Sequence, residues 1–271
     1  MKRFIILAGY CELGMYLYWT GKLDQYINTR YTYLAFLSMG ISFILAVVQL
    51  IIWVKQLDKH QHKQLGWGSL LTLAIPLLIG FFIPTVTLNA TTVASKGYQF
   101  PLAAEVDADS QLQSADGTDI QYLKPDTSLF FTKKNYELQM AKSLSRYQQI
   151  NHITITNDNY MEVMELIYLF PDHFMGKTIS YSGFVYKDPE AKGQQYLFRF
   201  GIIHCIADSG VYGLLTKGNE MSYDDNTWIQ VSGQLTKAYN QSLDLYLPAL
   251  DITESSAISP PENPYVYRQF Y

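Results

Sequence analysis

The run from Tyr33 to Val54 holds no charged residue over 22 consecutive positions, and this constrains the chain more than any other feature. A helix needs ~20 mainly apolar residues to cross the hydrocarbon core of a bilayer, so the run predicts a transmembrane helix. Two more apolar segments flank it. Trp67 to Pro84 is uncharged, and its internal Pro76 is tolerable in a span because neighbouring helices satisfy the carbonyl that proline frees. Phe4 to Trp19 is shorter and carries Glu12; it reads either as a third helix or as a signal segment with Lys2 and Arg3 as its basic start. The helix is preferred here, because no small-x-small cleavage site follows and the stretch is rich in tyrosine. The expected anchor is therefore residues 1–85, with helices at about 4–19, 33–54 and 67–84.

Charge divides the chain at the same place. Up to residue 85, Lys2, Arg3, Lys22, Arg30, Lys55, Lys59 and Lys63 oppose only Glu12, Asp24 and Asp58. The remaining residues hold 13 basic and 21 acidic side chains within a formal net charge of −4 for the whole chain. An acidic domain repels a phosphate backbone, so nucleic acid is excluded as the expected ligand. Short loops rich in Lys and Arg stay cytoplasmic. Lys2 and Arg3 precede the first span, and Lys55, Lys59 and Lys63 separate the second from the third, so three spans place everything after Pro84 outside. Trp19, Trp53 and Trp67 fall at span ends, where an indole prefers headgroup depth. Cys11 lies in the first span and Cys205 in the later domain, so on this topology they do not pair.

After the anchor the periodicity changes. Residues 86–150 read as a polar connector followed by an amphipathic helix over Lys133 to Gln148, with Tyr136, Met140, Leu144 and Tyr147 near one face. In residues 151–271, Asn159 and Glu162 resemble a capping box ahead of Tyr160, Val163, Met164 and Ile167, and Pro171 ends that helix. Five strands follow at Thr178 to Tyr186, Tyr196 to Ile206, Val211 to Thr216, Trp228 to Leu235 and Leu243 to Ile252. Five short antiparallel strands in so few residues suit a small closed barrel, and the partly open five-stranded OB-fold is the natural candidate. The expected class is thus a membrane-anchored chain with an extracytoplasmic α+β domain built on an OB-like five-stranded barrel.

The stretches IYLFPDHFMGKTISYSGFVYKDP, FRFGIIHCIADSGVYGLL, WIQVSGQL and PPENPYVY resemble the YcgQ-like family of bacterial membrane proteins. The resemblance extends more weakly to the anchor and its DKHQHK loop, and covers most of the chain apart from about residues 100–150. It implies a subunit of a two-component permease with a polytopic permease as partner. Where the family pattern carries adjacent cysteines, this chain has His204 and Cys205, followed by Ile206, Ala207 and Asp208.

His204, Cys205 and Asp208 are the candidate metal ligands. Imidazole, thiolate and carboxylate suit zinc, but adjacent strand residues face opposite ways, so convergence requires a bulge or strand end. The alternative is a buried thiol beside an exposed imidazole. Glu12, an ionisable group in an apolar span, is a candidate for partner or substrate binding, and otherwise a carboxyl hydrogen-bonded within the bundle. Arg199 is a second binding candidate, placed to hold a carboxylate or an acidic neighbour. His60 and His62 read as ligands of a cytoplasmic metal or as a solvated loop. No G-x-S-x-G, G-x-x-x-x-G-K-[ST] or H-E-x-x-H motif is present, so a non-enzymatic subunit is expected ahead of a hydrolase. A stand-alone envelope protein that binds a metal or glycan is the competing reading.

Overall fold

The computed structural model describes residues 2–55, 66–84, 86–98, 133–189, 191, 194–218, 223–240 and 244–269. It divides into two compact units, Met1–Thr87 with His204–Ile206, and Leu88–Ile203 with Ala207–Tyr271.

In the first unit, helix α1 (Lys2–Trp19) packs against both α2 (Thr32–Val54) and α3 (Trp67–Phe82). Small residues let the backbones approach. A Cβ at Gly9 would lie 2.9 Å from the Leu77 side chain, one at Gly80 2.7 Å from Leu13, and one at Gly14 2.5 Å from Met39. The Tyr10 hydroxyl donates to Leu73 O (2.9 Å), in the turn that Pro76 interrupts, and the Lys2 ammonium sits 4.2 Å from the Trp67 ring centroid.

Of the three expected membrane-spanning helices, the middle one has the length and composition of a span. Among the described residues one helix, Thr29–Val54, is long and apolar enough to cross a membrane. Almost none of it is buried within the chain, unlike the core helix of a globular domain. Helix α1 has 18 residues but includes Lys2, Arg3 and Glu12. Helix α3 has 16 residues, and at 1.5 Å per residue it reaches about 24 Å against a hydrocarbon core of about 30 Å.

The second unit starts with α4 (Ala90–Lys96), whose cap is a true capping box: Asn89 Oδ1 accepts from Thr91 and Thr92 N–H, and Thr92 Oγ1 accepts from Asn89 N–H. Helix α5 (Lys133–Tyr147) matches the sequence expectation to within a residue, and Lys177 Nζ donates to the carbonyls of Tyr147, Gln148 and Ile150 at its end. Helix α6 (Tyr160–Leu169) follows the short strand β1 (His152–Thr154). The capping box expected at Asn159 does not form. Asn159 Oδ1 instead accepts from Thr156 N–H, and Glu162 accepts from Ser143, Arg146 and Tyr147 of α5. Glu162 therefore joins two helices and leaves the cap to the turn.

Strands β2 (Thr178–Lys187), β3 (Gln195–Ile202), β4 (Gly210–Lys217), β5 (Trp228–Asn240) and β6 (Leu245–Ala257) form a closed barrel in the order β2-β5-β6-β4-β3 and back to β2. The expected five strands form the expected small closed barrel, more fully closed than the OB-fold named as its candidate. Closure comes from parallel pairing of Leu215–Lys217 with Ala249–Asp251, between strands far apart in sequence. All other barrel pairs are antiparallel, while β1 and the terminal β7 (Val266–Tyr267) add in parallel to β2 and β3.

The core is packed with rings. Val163, Met164, Leu166 and Ile167 of α6 are fully buried, as are Ile179, Tyr181, Leu197, Leu214, Ile229 and Leu247 from the strands. Buried phenols need partners, and here they find backbone. Tyr168 donates to Gly213 O (2.9 Å) and Tyr160 to Tyr212 O (3.4 Å), while Tyr181 donates to Leu197 O and accepts from Leu214 N–H. At Gly213 only hydrogen fits, since a Cβ would lie 1.9 Å from Leu197 O.

Candidate functional site

Among the described residues, a cluster of buried polar groups joins the end of β2, the start of β3 and the end of β5. Asp188 ends β2, Gln194 and Tyr196 open β3, Asn240 closes β5, and Tyr98 arrives just after α4. Hairpin closure fixes the frame: Asp188 N–H donates to Gln194 O (2.9 Å), and Gln194 Nε2 donates to Tyr239 O (2.7 Å). Asp188 is 4% exposed, and Tyr196 and Asn240 are fully buried.

Into this frame Tyr98 inserts its ring. Its hydroxyl donates to Asp188 Oδ2 (2.6 Å) and lies 3.2 Å from the Tyr196 hydroxyl, which also accepts from Asn240 Nδ2. The ring stands 4.9 Å from Tyr196, 5.6 Å from Phe198 and 5.9 Å from Tyr186, centroid to centroid. Burial, reinforced by the hydrogen bond to Asp188, pushes the Tyr98 phenol far above its ordinary value. Burial lifts Tyr196 to about 12. A carboxylate acceptor, two amides and an aromatic wall thus enclose the Tyr98 ring. On the hairpin beside it, Tyr239 and Tyr246 are exposed and meet edge to face at 5.5 Å.

The residues singled out in the sequence fall elsewhere. Arg199 is 2% exposed and holds its own chain: Nε donates to Pro264 O (3.2 Å), Nη2 to Asn263 O (3.3 Å) and Tyr265 O (3.2 Å), and Nη1 to Asn157 Oδ1 (2.5 Å). The guanidinium lies 5.5 Å from the ring centroids of both Tyr160 and Trp228, and burial lowers its pKa. Its acceptors are three backbone carbonyls of the PPENPYVY segment and the Asn157 amide oxygen.

His204 and Cys205 follow the end of β3 at Ile202 and cluster with the first unit. Cys205 bridges Ile27 in antiparallel fashion, Asn28 N–H donates to His204 O (2.9 Å), and the His204 ring is 5.8 Å from Tyr31. Asp208 closes the 3-10 turn Ile206–Asp208. Among the described residues, no group of three or more His, Cys, Asp and Glu is arranged to hold a metal ion. His60 and His62 lie outside the described residues. Glu12 is exposed on α1.

Sequence reasoning missed Tyr98, Asp188, Tyr196 and Asn240. The Asp-Pro after β2 signals a turn, and nothing local signals that β5 ends against it. Only barrel closure unites residues 98, 188, 196 and 240.

The fold is that of a helix bundle with one helix long and apolar enough to cross a membrane, joined to a small closed barrel. The chain belongs to the DUF1980 family, matching its N-terminal domain over residues 2–99 and its C-terminal domain over 130–268. It is 57% identical, over the full length of both chains, to a Streptococcus mutans serotype c protein named "Putative two-component membrane permease complex subunit". It is 34% identical, again over both full lengths, to the UPF0703 protein YcgQ of Bacillus subtilis strain 168. No solved structure matches the chain.

Proposed function

We propose that the chain is the membrane-anchored accessory subunit of a permease-type transport complex, with a polytopic membrane permease as its partner. The observation that carries this reading is the full-length identity with the Streptococcus mutans protein whose name describes such a subunit. The surface of the first unit supports it. Exposed large apolar side chains concentrate on α1–α3, among them Phe43 (60%), Val54 (66%), Leu71 (61%) and Phe82 (78%), far more than a water-facing bundle presents. On this reading α1 and α3 insert beside α2 as shorter spans of one packed bundle, which mismatch energetics permit at modest cost. The basic loops then keep residues 2–3 and 55–63 cytoplasmic and the barrel extracytoplasmic.

The barrel mouth is the part of the outer domain that binds partner or substrate, because the connections bordering it are those by which OB-type barrels engage ligands. Mild-detergent capture of the tagged full chain at native expression should recover a polytopic permease. Recovery of the chain alone, in several detergents, overturns the reading. It would favour a stand-alone envelope protein that binds glycan, for which the exposed Tyr239–Tyr246 pair beside the Asp188 recess supplies ring-stacking and hydroxyl-accepting groups. A zinc role for His204, Cys205 and Asp208 is tested separately, by metal analysis of the same purified full chain. Stoichiometric zinc that Cys205→Ser removes would establish it, and metal-free protein at neutral pH would end it.

A further inference from the structure

Helix α1 has three faces, and the packing accounts for two of them. Gly9, Tyr10, Leu13 and Tyr16 meet α3 through Leu77, Leu73, Gly80 and Phe81. Gly14 and Tyr18 meet α2 through Met39 and Phe36. The third face is the stripe Ile5, Ala8, Glu12, Met15 and Trp19, spaced i, i+3, i+7, i+10 and i+14. Ile5 is 56%, Met15 38% and Trp19 75% exposed, and Glu12 is exposed with them. Among the described residues no hydrogen bond or ion pair reaches the Glu12 carboxyl.

Position makes this face informative. Glu12 is close to the middle of an 18-residue helix, so it sits near mid-depth when α1 is in the bilayer. Lipid tails offer no donor to a carboxyl, and a polar group at that depth is retained where another helix supplies one. Ala8, one turn earlier, has the small side chain that lets a second backbone come close.

We infer that the Ile5–Ala8–Glu12–Met15–Trp19 stripe of α1 is the docking face for a transmembrane helix of the permease partner, and that this helix presents a Lys or Arg side chain to Glu12. The inference rests on the permease-subunit reading and assigns the surface that serves it. Charge complementarity selects the occupant. A purely apolar helix leaves the carboxyl unsatisfied, and a second copy of α1 would set one carboxyl against another.

The test uses the full chain in native membranes, with a photo-crosslinking residue placed at Ile5 or Met15 and, as a control, at Phe43 on the outer surface of α2. Crosslinks from Ile5 and Met15 to the polytopic partner, absent from Phe43, are expected. Glu12→Ala and Glu12→Gln should each lower their yield about tenfold, a typical effect of losing an interhelical polar contact, without lowering the amount of chain in the membrane. Three outcomes overturn the inference: adducts to a second copy, adducts to lipid alone, or full yield from Glu12→Gln. If the partner still co-purifies in those cases, the permease-subunit reading survives and only the docking face is wrong. Loss of co-purification with the unaltered chain refutes that reading itself.

Discussion

At the scale of single residues, two side chains do different work from what their types advertise. Arg199 delivers a planar fork of donors to three successive carbonyls while its flat faces lie near Tyr160 and Trp228. Lysine offers charge without that fork, so Arg199→Lys should destabilise the chain by about 2–4 kcal/mol, read as a lower melting temperature of the detergent-purified protein. A melting temperature equal to wild type would show that the clamp contributes nothing. Tyr98 is the second case. Tyr98→Phe keeps the ring against Tyr196 and Phe198 but takes the donor from Asp188, and should cost about 1–3 kcal/mol. If the recess binds a hydroxyl-bearing ligand, the same variant should bind it more tightly than wild type, because the internal competitor is weakened.

At the scale of elements, much of the architecture was legible. The uncharged run at Tyr33 to Val54, the tyrosine- and valine-rich strands and the Pro171 stop are local signals, and α2, β2 to β6 and the end of α6 follow them. Other features depended on distant partners. Strand β5 runs to Asn240 instead of Leu235 because Leu245–Ala249 pairs with its second half. Strand β3 stops at Ile202, short of the expected Ile206, and β7 exists because Arg199 and β3 hold it. A closed barrel was legible, but the way it closes was not: no pattern within β4 or β6 announces that they pair in parallel. Gly213 marks the tightest approach among the described glycines, where β4 runs beside β3. Gly213→Ala places a methyl on Leu197 O and should destabilise the fold by about 3 kcal/mol or more, whereas Gly40→Ala in α2, with open space around it, should leave the melting temperature within about a degree. Equal behaviour of the two variants would contradict the packing described.

For the whole molecule, the buried phenols set the response to alkali. Burial raises Tyr160, Tyr168, Tyr181, Tyr196 and Tyr212, the last two to about 12. A folded pKa above the unfolded value of about 10 means that this stabilisation is complete below pH 10 and is lost as pH rises through the folded values. Ultraviolet titration should show the buried set ionising only together with unfolding, near or above pH 12. Ionisation of all tyrosines in a single step near pH 10 would refute the buried assignment. Orientation is tested in intact cells on a background with Cys11 and Cys205 replaced by serine. A thiol at Ser255→Cys should react with an impermeant reagent, and one at Gln61→Cys should not. The reverse pattern would place the barrel in the cytoplasm.

The Arg199 clamp has a consequence in time. The guanidinium at residue 199 meets its backbone acceptors at 263–265 only after more than sixty further residues have been joined to the chain. Every barrel strand, the last ending at Ala257, is made before those acceptors are. The strands can therefore pair before the buried cation between them has its carbonyls, and the clamp closes late in folding.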